Sequence, residues 1–183
     1  SLLRYYAFTD KLKQIHTKHD DWKELAIKKP FVLVLFRLEF LPNFLSMTKL
    51  NRERVTYFIR EYIQFHMSQA HPDTLTFQID KDQILTLVFH DEVPDAWLLP
   101  LKSVFDNDKD WCLFTIAIGG VQREEADFAQ SYDDTVKLAD LRRPYEETQI
   151  LRKAEPRQPY RLSRLQQQEL QTKVRTGSPD SLR

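Results

Sequence analysis

His16 and His19 stand three residues apart in a segment of helical spacing. That places both imidazoles on one side of a helix, a spacing that suits a metal ion. Zinc sites need three or four ligands, and no third is recognisable nearby, so the two read as solvated histidines. His66, His71 and His90 fall at the ends of elements and make no pattern. Cys112 is the one cysteine, set in the apolar run Trp111-Cys112-Leu113-Phe114. It excludes a disulfide framework and reads as a small buried hydrophobe rather than a reactive thiol. The three glycines, Gly119, Gly120 and Gly177, are too few and misplaced for a loop that brings backbone N–H groups onto phosphate. No Ser/His/Asp or Cys/His arrangement can be singled out. Charge runs such as Arg123-Glu124-Glu125 and Glu146-Glu147 are read as solvated faces. No catalytic residue, cofactor or metal is expected from these residues.

The composition agrees with a soluble, packed chain. The 183 residues are 42% hydrophobic and 12% aromatic, enough for one core with extensions. The 27 basic residues are balanced by 27 acidic ones. A domain that grips nucleic acid usually carries a basic excess, because phosphate neutralisation supplies much of its affinity. DNA is therefore not an expected partner of this chain by itself. No apolar run approaches the roughly 18 residues of a membrane span, and the opening residues do not resemble a secretory signal. A cytoplasmic location without membrane contact is expected, the parent protein being open to a membrane anchor elsewhere.

Periodicity divides the chain into a helical leader (1–29), an α/β domain (30–153) and a linker helix (154–183). In the leader, residues 2–27 carry Leu3, Tyr6, Leu12 and Ile15 at near-helical spacing, and Pro30 closes it. Phe31–Phe36 is a continuous apolar run, which predicts a strand covered on both faces. Val55, Phe58, Ile59, Tyr62, Ile63 and His66 share one helical stripe, with Asn51 as its N-cap and His71-Pro72-Asp73 as its end. Leu75–Ile79 and Ile84–Phe89 flank the polar Asp80-Lys81-Asp82, which predicts a β-hairpin. A second amphipathic helix follows through Val93, Trp97, Leu101 and Val104 or Phe105. Trp111–Ile118 reads as a strand stopped by Gly119-Gly120. A third helix spans Asp127–Arg142, with Tyr132, Val136 and Ala139 inward, and Thr148–Leu151 is a short edge strand. The tail helix, Leu162–Val174, carries a sparse stripe of Leu162, Leu165, Leu170 and Val174 that predicts light docking on its own α/β body or on a second chain in a two-fold dimer. The βαββαβ core order implies an α/β (α+β) domain with a central mixed sheet and helices against it.

Over residues 31–151 this order resembles GGDEF domains, the cyclic-dinucleotide synthases. In that family the first strand ends in two aspartates one residue apart, and the hairpin turn reads Gly-Gly-Asp-Glu-Phe. Here the strand end reads Arg37-Leu38-Glu39 and the turn Asp80-Lys81-Asp82-Gln83-Ile84. The run Thr115-Ile116-Ala117-Ile118-Gly119 and the helix Ser131–Ala139 are similar to later parts of the family pattern. The resemblance implies a nucleotide-cyclase-like fold, while its departures remove the chemistry. The family's activity requires magnesium on carboxylates, and magnesium takes hard oxygen ligands. Arg37 sets a cation where the first aspartate belongs, at a repulsion of roughly 6–7 kcal/mol toward a divalent ion about 5 Å away in an effective dielectric near 20. Gln83 is uncharged at the family's acidic position, and Asp80 and Lys81 replace both glycines. Arg37, half-enclosed at a strand end, needs a carboxylate partner; Asp82 across the sheet is the preferred one, with a lateral contact to Glu39 as the other.

The strand end, the Tyr132–Leu141 helix with its following Ile150 strand, and the tail Pro159-Tyr160-x-Leu162 together resemble the degenerate GGDEF-like modules of bacterial AraC-type transcription regulators. That resemblance implies a non-catalytic signal-relay domain between an upstream sensor and DNA-binding helices beyond Arg183. Its partners would be the other domains of the parent, and DNA only through the missing reader. The alternatives are a nucleotide-binding sensor, a residual nucleotide cyclase of the GGDEF type, or an unrelated ferredoxin-like domain in which the turn is merely a turn.

Overall fold

A computed structural model describes residues 30–124 and 127–153. The leader with His16 and His19 and the Gln-rich tail lie outside the described residues, as do the docking and linker roles expected of them. Nine elements follow in order: β1 (Val32–Phe40), α1 (Pro42–Leu45), α2 (Lys49–Ala70), β2 (Thr74–Asp80), β3 (Gln83–Val88), α3 (Asp95–Asn107), β4 (Cys112–Ile118), α4 (Phe128–Ala139) and β5 (Gln149–Arg152). They form one mixed five-stranded sheet in the order β2-β3-β1-β4-β5. All neighbours are antiparallel except β4 and β5, which are parallel. A parallel neighbour demands a crossover, and α4 supplies it.

The sheet carries helices on both faces. Val32, Val34, Phe36 and Leu38 of β1 meet Ile63 and Met67 of α2 and Leu98, Leu101 and Phe105 of α3. The alternate residues Phe31, Leu33 and Leu35 meet Phe128, Tyr132 and Ala139 of α4. Six consecutive apolar residues, Phe31–Phe36, are thus all buried, because each pleat delivers its side chain to one of two cores. Each fully buried side chain of this size contributes about 1.5–3 kcal/mol. Stacked rings tie each core to the sheet, Phe105 on Phe114 at 3.9 Å and Phe31 on Phe128 at 4.1 Å.

Several boundaries differ from the sequence expectation for local reasons. β1 runs four residues past Phe36, because both neighbours continue to pair it: Arg37 with Gln83 and Thr115, then Leu38 to Phe40 with β4. The cap of α2 is Thr48, whose hydroxyl accepts the Asn51 N–H at 3.3 Å, so Asn51 lies inside the first turn. The buried side of α2 is Thr56, Ile63 and Met67, while Phe58 of the expected stripe faces outward. Trp111 stays outside β4, and α4 ends at Ala139 because the chain turns there: Leu141 and Arg142 donate to the carbonyls of Leu138 and Ala139. Pro100 sits within α3 on its exposed side, where the carbonyl it leaves unpaired, that of exposed Ala96, can turn to water. Gly119 ends β4 where α4 comes close. A Cβ there would stand 2.7 Å from Thr135 Oγ1 and 3.3 Å from the Leu33 carbonyl, so only glycine admits this packing. No helix among the described residues is long and apolar enough to cross a membrane.

Candidate functional site

The two segments that stood out in the sequence meet in one row of the sheet. Arg37 pairs in register with Gln83 on one side and Thr115 on the other, and the row continues to Asp80 and Gln149. Residues directly opposite in paired strands share a face, so Arg37, Gln83, Thr115 and Gln149 project toward the α4 layer, while an irregularity between Gln78 and Asp80 interrupts the row at its Asp80 end. A polar row beside an apolar core must find hydrogen-bond partners, and α4 with its following loop provides them. Arg37 Nη1 donates to Asp140 Oδ1 at 2.5 Å, and Nη2 to the Val136 carbonyl at 3.4 Å. The Gln83 side chain is buried, and its Oε1 accepts the Tyr132 hydroxyl at 2.8 Å. Thr115 Oγ1 accepts from Arg142, whose guanidinium also donates to the carbonyls of Phe114, Tyr145 and Glu147. The amide of Gln149 exchanges two bonds with the Arg143 backbone.

Arg37 therefore takes neither of its expected partners. The guanidinium reaches back along α4 to Asp140, whereas Asp82 contributes its backbone carbonyl to Leu38 N–H at 2.8 Å, and Glu39 is exposed. The turn itself is two residues, Lys81-Asp82, since Asp80 and Gln83 are already paired. Asp80 Oδ1 accepts the Lys81 N–H at 2.7 Å. Ile84 is fully buried on the opposite face, in register with Phe36.

Among the described residues no group of three or more His, Cys, Asp and Glu side chains is placed to hold a metal ion. Burial pushes the Cys112 thiol up to about 12, against a lowering backbone hydrogen bond at Glu39. Such a thiol stays protonated and unreactive near neutrality.

The α2 face holds features that sequence reasoning missed. A cleft of about 610 Å³ between α1, α2 and the hairpin is lined by Lys49, Arg52, Arg60 and Lys81 against the single carboxylate of Glu53. The three α2 cations lay in the sequence, yet only the fold sets Lys81 of the hairpin among them. Beside it, a cavity of about 680 Å³ is walled mainly by rings, among them Phe44, Phe58, Tyr62, Phe105 and Trp111, with Cys112 at its floor. At the other end of the sheet the hairpin joins His71 to His90, with ring centres 4.9 Å apart, and Trp97 stacks on His71 at 5.7 Å. His71 Nε2 is also 3.0 Å from the Phe89 carbonyl. These histidines make a cluster that their separation in sequence conceals.

Comparison with family models, curated proteins and solved structures returned no match to this chain.

Proposed function

We propose that residues 30–153 are a non-catalytic regulatory module, a degenerate GGDEF-like domain that relays a sensor signal to the DNA-binding part of an AraC-type transcription regulator. The observation that carries the loss of catalysis is the pairing of Arg37 with Gln83 across β1 and β3. These are the two positions where the resemblance sets acidic metal ligands on neighbouring strands. One now bears a cation committed to Asp140, and the other a neutral amide committed to Tyr132. A magnesium ion at that point would meet a positive charge and one neutral oxygen already in use, whereas it needs anionic oxygen donors. The relay role rests on the resemblance and on the placement of the module between leader and tail.

The test has two arms. Purified chain incubated with guanine nucleotide and magnesium is expected to yield no cyclic dinucleotide, and product above a protein-free control would overturn the loss of catalysis. The chain should also fail to retard promoter DNA at physiological salt while a parent carrying the reader domain succeeds; equal affinity would overturn the division of labour.

One observation favours a second reading, a nucleotide-binding sensor. Lys81 of the turn joins Lys49, Arg52 and Arg60 in the basic cleft, and clustered cations attract phosphate. Calorimetric titration with guanosine triphosphate separates the two readings: heat lost on Arg52→Glu and Lys81→Glu supports the sensor, and no heat leaves the relay alone.

A further inference from the structure

Helix α2 is apolar on two opposite sides. Its inner side buries Thr56, Ile63 and Met67 against the sheet. On its outer side Leu50, Tyr57, Phe58 and Phe65 are 57%, 53%, 68% and 59% exposed. A surface helix ordinarily carries polar residues on the face away from the core, so four large apolar side chains there are unusual for a helix that packs on one side only. Arg54 and Glu61 are exposed on the same stretch. At 100° per residue, Leu50, Arg54, Tyr57, Phe58, Glu61 and Phe65 fall within an arc of roughly 100°, on the side opposite the buried residues. They also repeat every seven positions: Leu50 with Tyr57, Arg54 with Glu61, Phe58 with Phe65. Such a repeat is the pattern of a helix that packs lengthwise on another helix at a shallow left-handed crossing.

We propose that this outer face of α2 is a two-fold interface with a second copy of the same chain, the two α2 helices running antiparallel. The argument for a second copy is self-complementarity. A two-fold interface requires that if residue i meets residue j, then j meets i. With the axis passing between residues 57 and 58, Tyr57 meets the second copy's Phe58, Leu50 meets its Phe65, and Arg54 meets its Glu61. Each apolar residue is set against an apolar one and each charge against its opposite, in both symmetric halves. Arg54 has no ion pair with another described residue, and Glu61 gives only Oε1 to Arg60, at 2.8 Å, leaving Oε2 for a second donor. Tyr57 and Phe58 already touch edge to face, with ring centres 6.2 Å apart, and Arg60 lies over the Tyr57 ring at 5.1 Å. The centre of the interface is thus an aromatic cluster bordered by charges, the anatomy of association surfaces that hold. This inference does not rest on the regulatory reading.

The experiment is sedimentation equilibrium on the full chain. A dimer is expected. Phe58→Glu combined with Phe65→Glu should abolish it; both sites are solvent-exposed, so the thermal unfolding of the resulting monomer should match that of a wild-type sample diluted until it too is monomeric. Arg54→Glu alone and Glu61→Arg alone should each weaken association by about tenfold or more, since each makes two like-charge contacts per dimer. The variant carrying both reversals should regain wild-type affinity, because only in the antiparallel arrangement does each exchanged charge face the other. A wild-type chain that stays monomeric at its highest soluble concentration would overturn the proposal and leave the stripe to a different partner. So would a dimer indifferent to the phenylalanine changes, or one that the double reversal fails to rescue.

Discussion

Arg37 on β1 and Asp140, just past the end of α4, form an ion pair of 2.5 Å that fastens the crossover helix to the central strand. The arginine side chain is 23% exposed and the aspartate 61%. A pair this open to water is expected to contribute less than about 1 kcal/mol. A double-mutant cycle through Arg37→Ala and Asp140→Ala, read by chemical denaturation, should return a coupling in that range. The arginine deletion should cost more than the aspartate deletion, because the methylenes of its stem also cover the polar row. A coupling energy above about 2 kcal/mol would show that the pair is shielded far more than its exposure implies.

Tyr132 and Gln83 make the opposite case, a polar contact inside the α4 core. Both are buried, at 1% and 5% exposure. Tyr132→Phe removes the hydroxyl and leaves Gln83 Oε1 without that donor, at an expected cost of about 1–3 kcal/mol. Joining it to Gln83→Leu removes both partners, and the double variant should be more stable than Tyr132→Phe alone. Thermal or urea unfolding of the three proteins decides it; equal stability of the two variants would mean that the freed oxygen is satisfied elsewhere.

Asp106 links α3 to the residue before β5 and imposes a pH dependence. Its Oδ1 accepts the Thr148 N–H at 2.6 Å, and its Oδ2 accepts Lys102 Nζ at 2.7 Å. Burial acts to raise its pKa, but the hydrogen bonds from Lys102 and Thr148 and the lysine charge together outweigh it, so the value lies below the ordinary 3.8. The unfolded chain then binds the proton more readily than the folded one. The stabilisation is complete above pH 3.8 and is lost as the pH falls through the lower folded value. Asp106→Asn should therefore be less stable near neutrality, and its stability should fall less steeply than the wild type's below that pH. Parallel acid-unfolding curves for the two proteins would remove Asp106 from the account.

The apolar grammar of the chain determined much of the architecture. The run Phe31–Phe36 announced a strand enclosed on both faces, and the polar break at Asp80–Asp82 between two apolar stretches announced the hairpin. Both signals are local, arising from pleat periodicity and turn chemistry, and both elements are present. The short edge strand after α4 was legible for the same reason. What local pattern does not carry is pairing. Nothing near Arg37 names Asp140, one hundred and three positions away, because that contact exists only once α4 crosses the sheet to make β5 parallel to β4. The cap at Thr48 was masked by Asn51, an equally good capping residue three positions on. The exposed stripe of α2 was hidden in another way. Helical spacing sets Phe58 on one stripe with Val55, Ile59, Tyr62 and Ile63, but spacing does not say which of two apolar sides the sheet will take. Burial against the sheet chose Thr56, Ile63 and Met67, and in doing so turned Tyr57, Phe58 and Phe65 toward solvent. The residue types were thus settled in the chain, but their neighbours were decided only when the five strands paired and the helices closed over both faces.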